Sequence, residues 1–219
     1  KIRGKIKHYQ EDIRDLSKVS EIITCEKPDF LFHLAAQAIV STSYISPIET
    51  ITSNVIGTAN ILEALKELNH KCTAIIITSD KAYDNVEQVW GYKEDDKMGG
   101  RDIYSGSKGA AELIIKSYFH SFFTNEGCNI KLAIGRAGNV IGGGDWAKDR
   151  IVVDCMEAWS KGEVVKVRAP KATRPWQHVL EPLSGYLNLG QVLFNDGDLH
   201  GEGFNFGPRA EQNHTVVDL

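Results

Sequence analysis

A tyrosine and a lysine stand four positions apart in the segment YSGSK, residues 104–108. On a helix this spacing puts the phenol of Tyr104 and the ammonium of Lys108 on one face. A neighbouring ammonium favours the phenolate, so the pair predicts a tyrosine with a lowered pKa that acts as a general base. The spacing alone is a weak signal, because tyrosine and lysine also recur on solvated helix faces.

A second candidate group is Ser79-Asp80-Lys81, which follows an apolar run and places a hydroxyl beside opposite charges. It is either a solvated turn closed by an ion pair or part of a ligand site. Ligands of open α/β sheets bind outside the carboxyl ends of the strands. Residues 35–37 and 136–139 follow apolar runs in the same way, so all three segments are predicted to lie at the ligand edge.

The elements that would position these groups alternate along the chain. Apolar runs typical of parallel strands buried on both faces occupy residues 29–36, 73–78 and 130–135. Helical spacing occupies residues 16–23, 55–68 and 104–123. Ser17 is the candidate N-cap of the first helix. This alternation predicts right-handed βαβ units in a Rossmann-like, doubly wound parallel α/β sheet.

The pattern changes after residue 150. The sequence there predicts a helix to Trp159, a short strand at 164–167, a loop at 168–175 and a helix at 180–194. We therefore predict two parts of the chain. Residues 1–150 would form the sheet domain, and residues 151–219 would form part of a smaller lobe at the edge of the sheet.

Composition argues against several classes of function. The 219 residues carry a net charge of -4, so no overall positive field attracts nucleic acid or an anionic membrane. The apolar stretches are too short to span a bilayer. The histidines show no metal-ligand spacing, so we predict no metal, and His33 is expected to be a core residue. Four cysteines without a CxxC pair are expected to be reduced thiols of a cytoplasmic protein.

Five segments in order resemble the extended short-chain dehydrogenase/reductase family, within it the sugar-nucleotide 4,6-dehydratases, and most specifically those that act on CDP-glucose. The segments are TSDKAYDN (78–85), WGYKEDDKMGG (90–100), YSGSKGAAEL (104–113), GRAGNVIGGGDWA (135–147) and ATRPWQHVLEPLSGYL (172–187). The resemblance implies a lyase with bound NAD that oxidises the sugar at C4, removes water across C5 and C6, and returns the hydride to C6. A related epimerase or reductase, a dehydratase for another nucleotide sugar, and a non-catalytic binding protein are the alternatives.

The resemblance also implies five catalytic residues. Tyr104, helped by Lys108 and Ser79, would take the proton of the sugar's 4-hydroxyl. Asp80 would protonate the departing 6-hydroxyl. Lys81 stands where dehydratases of the dTDP-glucose type carry glutamate, so it is either the base that removes the C5 proton or a charge that stabilises the enolate.

Binding residues follow from the same resemblance. For NAD they are Asp12, Ile13, Leu34, Ala35, Ala36, Gln37, Asn54, Thr78, Tyr104, Lys108 and Ala137. For the substrate, a small-molecule nucleotide sugar, they are Arg136, Asn139, Trp146, Arg168, Arg174 and His178. Arg168 and Arg174 come from the basic run 161–174, which by itself is typical of a solvated face or a nucleic-acid surface. Their guanidinium groups match phosphate oxygens, whereas Lys161, Lys166 and Lys171 are expected at the surface.

Two expectations concern the extent and assembly of the protein. The family's first strand, glycine-rich turn and following helix would precede Lys1, so we expect this chain to be part of a longer protein and to bind NAD poorly alone. The glycines at 142–144 do not fit that turn and are expected in a flexible substrate-side loop. The family further implies a homodimer or a dimer of dimers, formed through the helices near 55–68 and 104–123.

Overall fold

The computed structural model describes residues 4–212 and 214–219. Its strands are β1 (Phe30–His33), β2 (Cys72–Ile77), β3 (Ile130–Ala137), β4 (Val140–Ile141), β5 (Thr173–Arg174), β6 (Gln177–His178), β7 (Gly203–Phe206) and β8 (His214–Thr215). Its α-helices are α1 (Leu16–Glu26), α2 (Val40–Ile45), α3 (Pro47–Ile51), α4 (Gly57–Lys66), α5 (Ile103–Tyr118), α6 (Ile151–Ser160) and α7 (Leu180–Asn195). Five-residue π-helical turns precede α4 (Thr52–Ile56) and follow α5 (Phe119–Phe123).

The main sheet is parallel, with the strand order β1-β2-β3-β7. Alternate residues of β2 face opposite layers, as strand geometry requires. Ala74 and Ile76 pack with α1, α4 and α5, whereas Ile75 packs with α7. Helices thus cover both faces of the sheet, which confirms the predicted doubly wound α/β fold.

Several local details differ from the sequence predictions. Asp15, not Ser17, caps α1, because its carboxylate accepts hydrogen bonds from the backbone N–H groups of Ser17 and Lys18. Residues 164–167, expected as a strand, form no regular element. Short pairs hold this region instead: β4 with β6 in parallel and β5 with β8 antiparallel.

Part of the segment predicted to form the smaller lobe returns to the main sheet. Helix α7 packs on β2 and β3 through Tyr186, Leu189 and Leu193. Strand β7 then extends the sheet beside β3. At Gly185 a Cβ atom would lie 2.4 Å from the ring of Phe206, so glycine is what lets α7 approach β7 so closely. Helix α7 and strand β7 therefore belong to the layers of the main sheet.

No helix in the described ranges is both long enough and apolar enough to cross a membrane.

Candidate active site

Ser79 stands just beyond the carboxyl end of β2 and begins a single 3₁₀ turn over Asp80–Ala82. Its hydroxyl accepts a hydrogen bond from the Lys81 N–H at 3.2 Å and donates one to Asp80 Oδ1 at 3.1 Å. Lys81 Nζ lies 3.4 Å from Asp80 Oδ2. Side-chain exposures of 30% for Asp80 and 39% for Lys81 leave both charges within reach of a ligand. We call residues 79–81 the catalytic turn.

Tyr104 and Lys108 lie in the first turns of α5, which Asp102 caps by accepting from the Ser105 N–H at 2.9 Å. Both side chains are buried, and Lys108 Nζ lies 6.0 Å from the centre of the Tyr104 ring. The structure therefore places the pair on one helix face, as its spacing predicts. Because the face is covered, phenol and ammonium meet in a low-dielectric setting.

Burial governs the protonation of this pair. It raises the pKa of Tyr104, while the neighbouring Ser79 hydroxyl lowers it and the charge of Asp80 raises it further. The pKa of Tyr104 is thus raised overall, because loss of solvent outweighs the groups that lower it. Burial also lowers the pKa of Lys108, to about 8, while the carboxylate of Glu112 acts in the opposite direction.

The catalytic turn and Tyr104 open onto a cleft of about 830 Å³. Its walls come from the ends of β2 and β3, from α2 and from the segments around α6 and β5. Predicted site residues that line it are Thr78, Ser79, Asp80, Lys81, Tyr104, Ala137, Asn139, Arg168 and Arg174. Residues from distant parts of the sequence thus meet in one site.

The cleft also contains residues that were not predicted, among them Arg150, Lys166 and Trp176. Lys166 is exposed, as expected, and the segment before β5 also brings it to the wall of the cleft. Arg150 lies near enough to Tyr104 for its charge to lower the pKa of that phenol. The composition DWAKDR around Arg150 gives no periodic signal, so only the fold reveals this residue.

The structure corrects the assignment of Arg136 to substrate binding. Its side chain is buried in an ion pair with Glu112, 2.8 Å from Nε to Oε1, and it faces away from solvent. Two other predicted substrate residues do not line the cleft: Trp146 is 67% exposed, and the His178 ring accepts a hydrogen bond from the Leu180 N–H at 3.3 Å. Gly142 and Gly143, expected in a flexible substrate-side loop, line the cleft, where Gly142 packs on Val179 beside the β4 and β6 pair.

A second, smaller cavity of about 250 Å³ lies at the end of β1 beside α1. Asp12, Ile13, Leu34 and Ala35, all predicted NAD residues, line it. Asp12 forms an ion pair with Arg14, whose hydrogen bonds lower the pKa of the carboxyl to about 2. The cavity thus combines apolar walls with an ionised carboxylate at its mouth.

Four predicted NAD residues, Ala36, Gln37, Asn54 and Lys108, line neither cavity. Asn54 accepts from the Gln37 N–H at 2.8 Å and donates to the Gln37 carbonyl at 3.1 Å and to Ser107 Oγ at 2.9 Å. Asn54 therefore fastens the loop after β1 to α5. Ala36 is half-buried in that loop. Thr78 donates to the buried carboxylate of Glu112.

His33 is a core residue, as predicted. Its Nε2 atom lies 3.2 Å from Thr58 Oγ1, and burial lowers its pKa to about 4. Thr58 donates its own proton to the Asn54 carbonyl at 2.7 Å, so the imidazole is the donor toward Thr58. Among the described residues, no three His, Cys, Asp or Glu side chains are grouped as metal ligands would be.

Comparison with known proteins gives consistent relatives. The family model for GDP-mannose 4,6-dehydratase matches residues 1–191. A CDP-glucose 4,6-dehydratase of Salmonella typhimurium is 50% identical over 208 residues, which are 94% of this chain and 58% of that protein. A CDP-paratose 2-epimerase of Salmonella typhi is 30% identical over 240 residues, covering 99% of this chain and 68% of the relative. The chain therefore spans a little over half the length of the first of these relatives.

Solved structures agree on the fold. The UDP-glucuronic acid 4-epimerase of Bacillus cereus, in complex with UDP-glucuronic acid and NAD, superposes with a TM-score of 0.83 at 20% identity and covers 99% of this chain and 64% of its own. A dTDP-glucose 4,6-dehydratase of Streptomyces venezuelae, with NAD bound, gives a TM-score of 0.81 at 17% identity, covering 99% and 62%. The chain thus belongs to the GDP-mannose 4,6-dehydratase family, the sugar-nucleotide dehydratases and epimerases of the extended short-chain dehydrogenase/reductase group.

Proposed function

We propose that this protein is an NAD-dependent lyase that converts CDP-glucose to CDP-4-keto-6-deoxyglucose. The observation that carries the proposal is the meeting of the catalytic turn and Tyr104 in one cleft, beside four cationic side chains. The 50% identity to a CDP-glucose 4,6-dehydratase supports the choice of substrate. An epimerase does not expel the 6-hydroxyl of its sugar, so an acid and a base in the catalytic turn favour a dehydratase.

The residues at the end of β1 fit the adenosine part of NAD. Ile13 and Leu34 supply apolar walls for a flat ring, and Asp12 supplies a hydrogen-bond acceptor at the rim of the cavity. Tyr104 and Lys108 lie next along the sheet edge, where the nicotinamide side of the cofactor would reach. When bound, NAD would supply the hydride acceptor for C4 of the sugar and the hydride donor for C6.

Tyr104 would accept the first proton, that of the sugar's 4-hydroxyl. Its raised pKa keeps the free phenol protonated, so it becomes a base only when its charge is stabilised. Lys108 supplies a buried ammonium on the same helix face, and Arg150 supplies a second positive charge from the cleft wall. Ser79, at the end of β2, is placed to donate a hydrogen bond to the developing oxyanion of the 4-hydroxyl.

Asp80 and Lys81 would carry out the elimination of water. Once C4 is a ketone, the C5 proton is acidic, and the 6-hydroxyl needs a proton in order to leave. An ammonium and a carboxylate in contact hold the same number of protons as an amine and a carboxylic acid. Transfer of one proton across the 3.4 Å contact therefore converts the ion pair into the base at Lys81 and the acid at Asp80.

The nucleotide diphosphate would bind the cationic wall of the cleft. Arg168 and Arg174 face it with Lys166, and Arg168 Nη2 lies 3.7 Å from Asp149 Oδ1. This ion pair is long and exposed, so phosphate oxygens compete with it readily. Guanidinium forks then bind the phosphates in a bidentate manner, which orients the sugar toward the catalytic turn.

The deciding experiment uses the full-length protein with CDP-glucose, dTDP-glucose and UDP-glucose in parallel. We expect the 4-keto product from CDP-glucose, followed by its absorbance in alkali and by mass spectrometry as loss of water. Product from one of the other two sugars alone would contradict the CDP assignment. Epimerised sugar without loss of water would replace the lyase by an epimerase.

We also propose that the protein forms a homodimer in the cytoplasm. Exposed apolar side chains on the helices at the predicted interface support the dimer, among them Ile56 before α4 and Leu113 on α5. The four cysteines, all within the described residues, are free thiols, which fits a reducing compartment. Sedimentation should give twice the monomer mass, and Leu113→Glu should reduce it to that of a monomer. A wild-type monomer at micromolar concentration would contradict the dimer.

A further inference from the structure

A buried ion pair lies beneath the cleft and has no part in the reaction described above. Glu112 is 0% exposed and Arg136 is 2% exposed. The contact is bidentate, with 2.8 Å from Nε to Oε1 and 3.0 Å from Nη2 to Oε2. A buried charge pair of this geometry is weak evidence for stability, because desolvation offsets the attraction. Its position therefore suggests another role.

The pair reaches both ends of the catalytic turn. Thr78, directly before the turn, donates its hydroxyl proton to Glu112 Oε1. Tyr83, which follows the 3₁₀ turn, accepts a hydrogen bond from Arg136 Nη1 at 2.7 Å. The guanidinium also lies 5.2 Å from the centre of the Tyr83 ring. Both flanks of the turn are thus tied to one ion pair.

The ion pair is itself held from three other directions. Arg136 Nη1 donates to the Glu94 carbonyl at 3.0 Å, and Tyr83 donates to Asn205 Oδ1 at 2.7 Å. Asn205 in turn donates its backbone N–H to Glu94 Oε1 at 2.9 Å. At Gly203 a Cβ atom would lie 2.7 Å from Arg136 Nη2. The backbone of β7 therefore packs closely against this guanidinium, and a larger residue than glycine would clash with it. The carboxylate of Glu112 is therefore fixed in place.

Glu112 also belongs to the helix face that carries Tyr104 and Lys108. It follows Lys108 by four residues and Tyr104 by eight, so all three side chains lie along one side of α5. Each of the three is buried. One carboxylate thus contacts the flank of the catalytic turn and shares a helix face with the two other catalytic side chains.

We propose that Glu112, fixed by Arg136, is a positioning residue that holds the catalytic turn in register with the face of α5 carrying Tyr104 and Lys108. The expected effect on the reaction rate rests on the proposed function, whereas the expected effect on the position of the catalytic turn does not. A displacement of about 1 Å between catalytic groups lowers a rate by as much as about 100-fold, so such a link has a measurable effect.

The carboxylate has a second consequence for Lys108. The titratable groups that face this lysine are Tyr104 and Glu112 on its own helix and His33 on β1. His33 is neutral near pH 7, because its pKa is lowered to about 4. The charge of Glu112 thus favours the ammonium of Lys108. Its removal lowers the Lys108 pKa further, so the alkaline limb of the rate profile moves to lower pH.

The test uses three variants of the full-length protein. Glu112→Gln keeps the shape and an acceptor for Thr78 but removes the charge. Glu112→Gln alone leaves the guanidinium of Arg136 buried without its charge partner. The double variant Glu112→Gln with Arg136→Met removes this cation as well, so it should fold even if the single variant does not. Ile115→Ala is the matched control, because it creates a cavity on the same helix without touching the ion pair. Thermal melts rank the three by stability.

Hydrogen exchange of the peptide 78–84 reports the link without any substrate. We expect exchange at least about tenfold faster in both Glu112 variants and unchanged in Ile115→Ala at a comparable melting temperature. Unchanged exchange in the Glu112 variants would overturn the positioning role, whatever the substrate proves to be.

Kinetics then test the consequence for catalysis. With the sugar nucleotide that the wild type turns over, kcat should fall about 10- to 100-fold in both Glu112 variants, with KM changed less than about threefold. The alkaline limb should move to lower pH. If the alkaline limb of the pH–rate profile does not move in the Glu112 variants, or if kcat falls equally in Ile115→Ala, Glu112 acts through stability alone. A wild type inactive on all three sugars contradicts the proposed function and leaves the exchange result to decide the positioning role.

Discussion

Gly138 offers a direct test of how closely the catalytic turn and the cleft wall fit together. A Cβ atom at this position would lie 2.5 Å from Cγ of Pro175 and 3.3 Å from Oδ2 of Asp80. Ordinary contact begins at 3.4 Å, so Gly138→Ala requires a separation of about 0.9 Å between the loop after β3 and the Arg174-Pro175 segment (3.4 minus 2.5). The proline ring cannot rotate away, so the backbone must move.

The magnitude follows from that displacement. Overpacking of this kind lowers the free energy of unfolding by about 1–3 kcal/mol. For a chain of this length, each kcal/mol corresponds to about 2–4 °C in melting temperature. Because the built Cβ also crowds Asp80 and the shift moves the segment of Arg174, we expect the rate of water loss in the proposed reaction to fall by about 10- to 100-fold.

The assay compares Gly138→Ala with Gly197→Ala in the full-length protein. Gly197 has no atom within 4 Å of a built Cβ and lies after α7, away from the cleft, so it controls for the effect of alanine on the unfolded chain. Melting is followed by circular dichroism and product by mass spectrometry. Equal melting temperatures and equal rates for the two variants would refute the reasoning, because the contact would then carry no constraint.

Three further predictions concern single side chains. Lys81→Met should leave oxidation at C4 intact, seen as NADH absorbance, and reduce water loss by at least about 100-fold; full dehydration would remove Lys81 from the mechanism. Arg174→Gln should weaken CDP binding about tenfold by calorimetry, as loss of a charged hydrogen bond predicts, whereas Lys171→Gln outside the cleft should not; equal effects would place the diphosphate elsewhere. The lowered pKa of His33 means that the unfolded chain binds the extra proton, so stability is complete above pH 6.5 and falls by about 3 kcal/mol as the pH drops toward 4. His33→Gln should flatten this part of the stability profile, and an unchanged slope would assign it to other groups.

Local patterns predicted the parts of the site that depend on local geometry. The spacing of Tyr104 and Lys108 is a property of one helix, and the place of Ser79 is a property of one strand end, so both follow from the sequence. The pKa of Tyr104 does not, because it depends on how completely the face of α5 is covered by other elements.

Charged residues far apart in the sequence were harder to place. Arg136 follows a buried strand, where a ligand contact is a reasonable expectation, but its partner Glu112 lies 24 residues earlier on a helix. Lys166 stands in a basic run that resembles a solvated face, and only the fold of the segment before β5 brings it to the cleft. A sequence shows the charge of such residues but not which surface will cover them.

Strand β7 also bears on how the protein is made. Within the described residues it is the last strand of the main sheet, and its neighbour β3 ends at Ala137, 66 positions before Gly203. Until residues 203–206 have been synthesised, one edge of β3 therefore has no strand to pair with. During the same time the Glu112 and Arg136 pair remains exposed to water. The ion pair first forms as a hydrated contact and becomes dry only when β7 docks. If synthesis pauses between β3 and β7, the nascent chain would expose an unpaired, aggregation-prone sheet edge to chaperones and to other copies of itself.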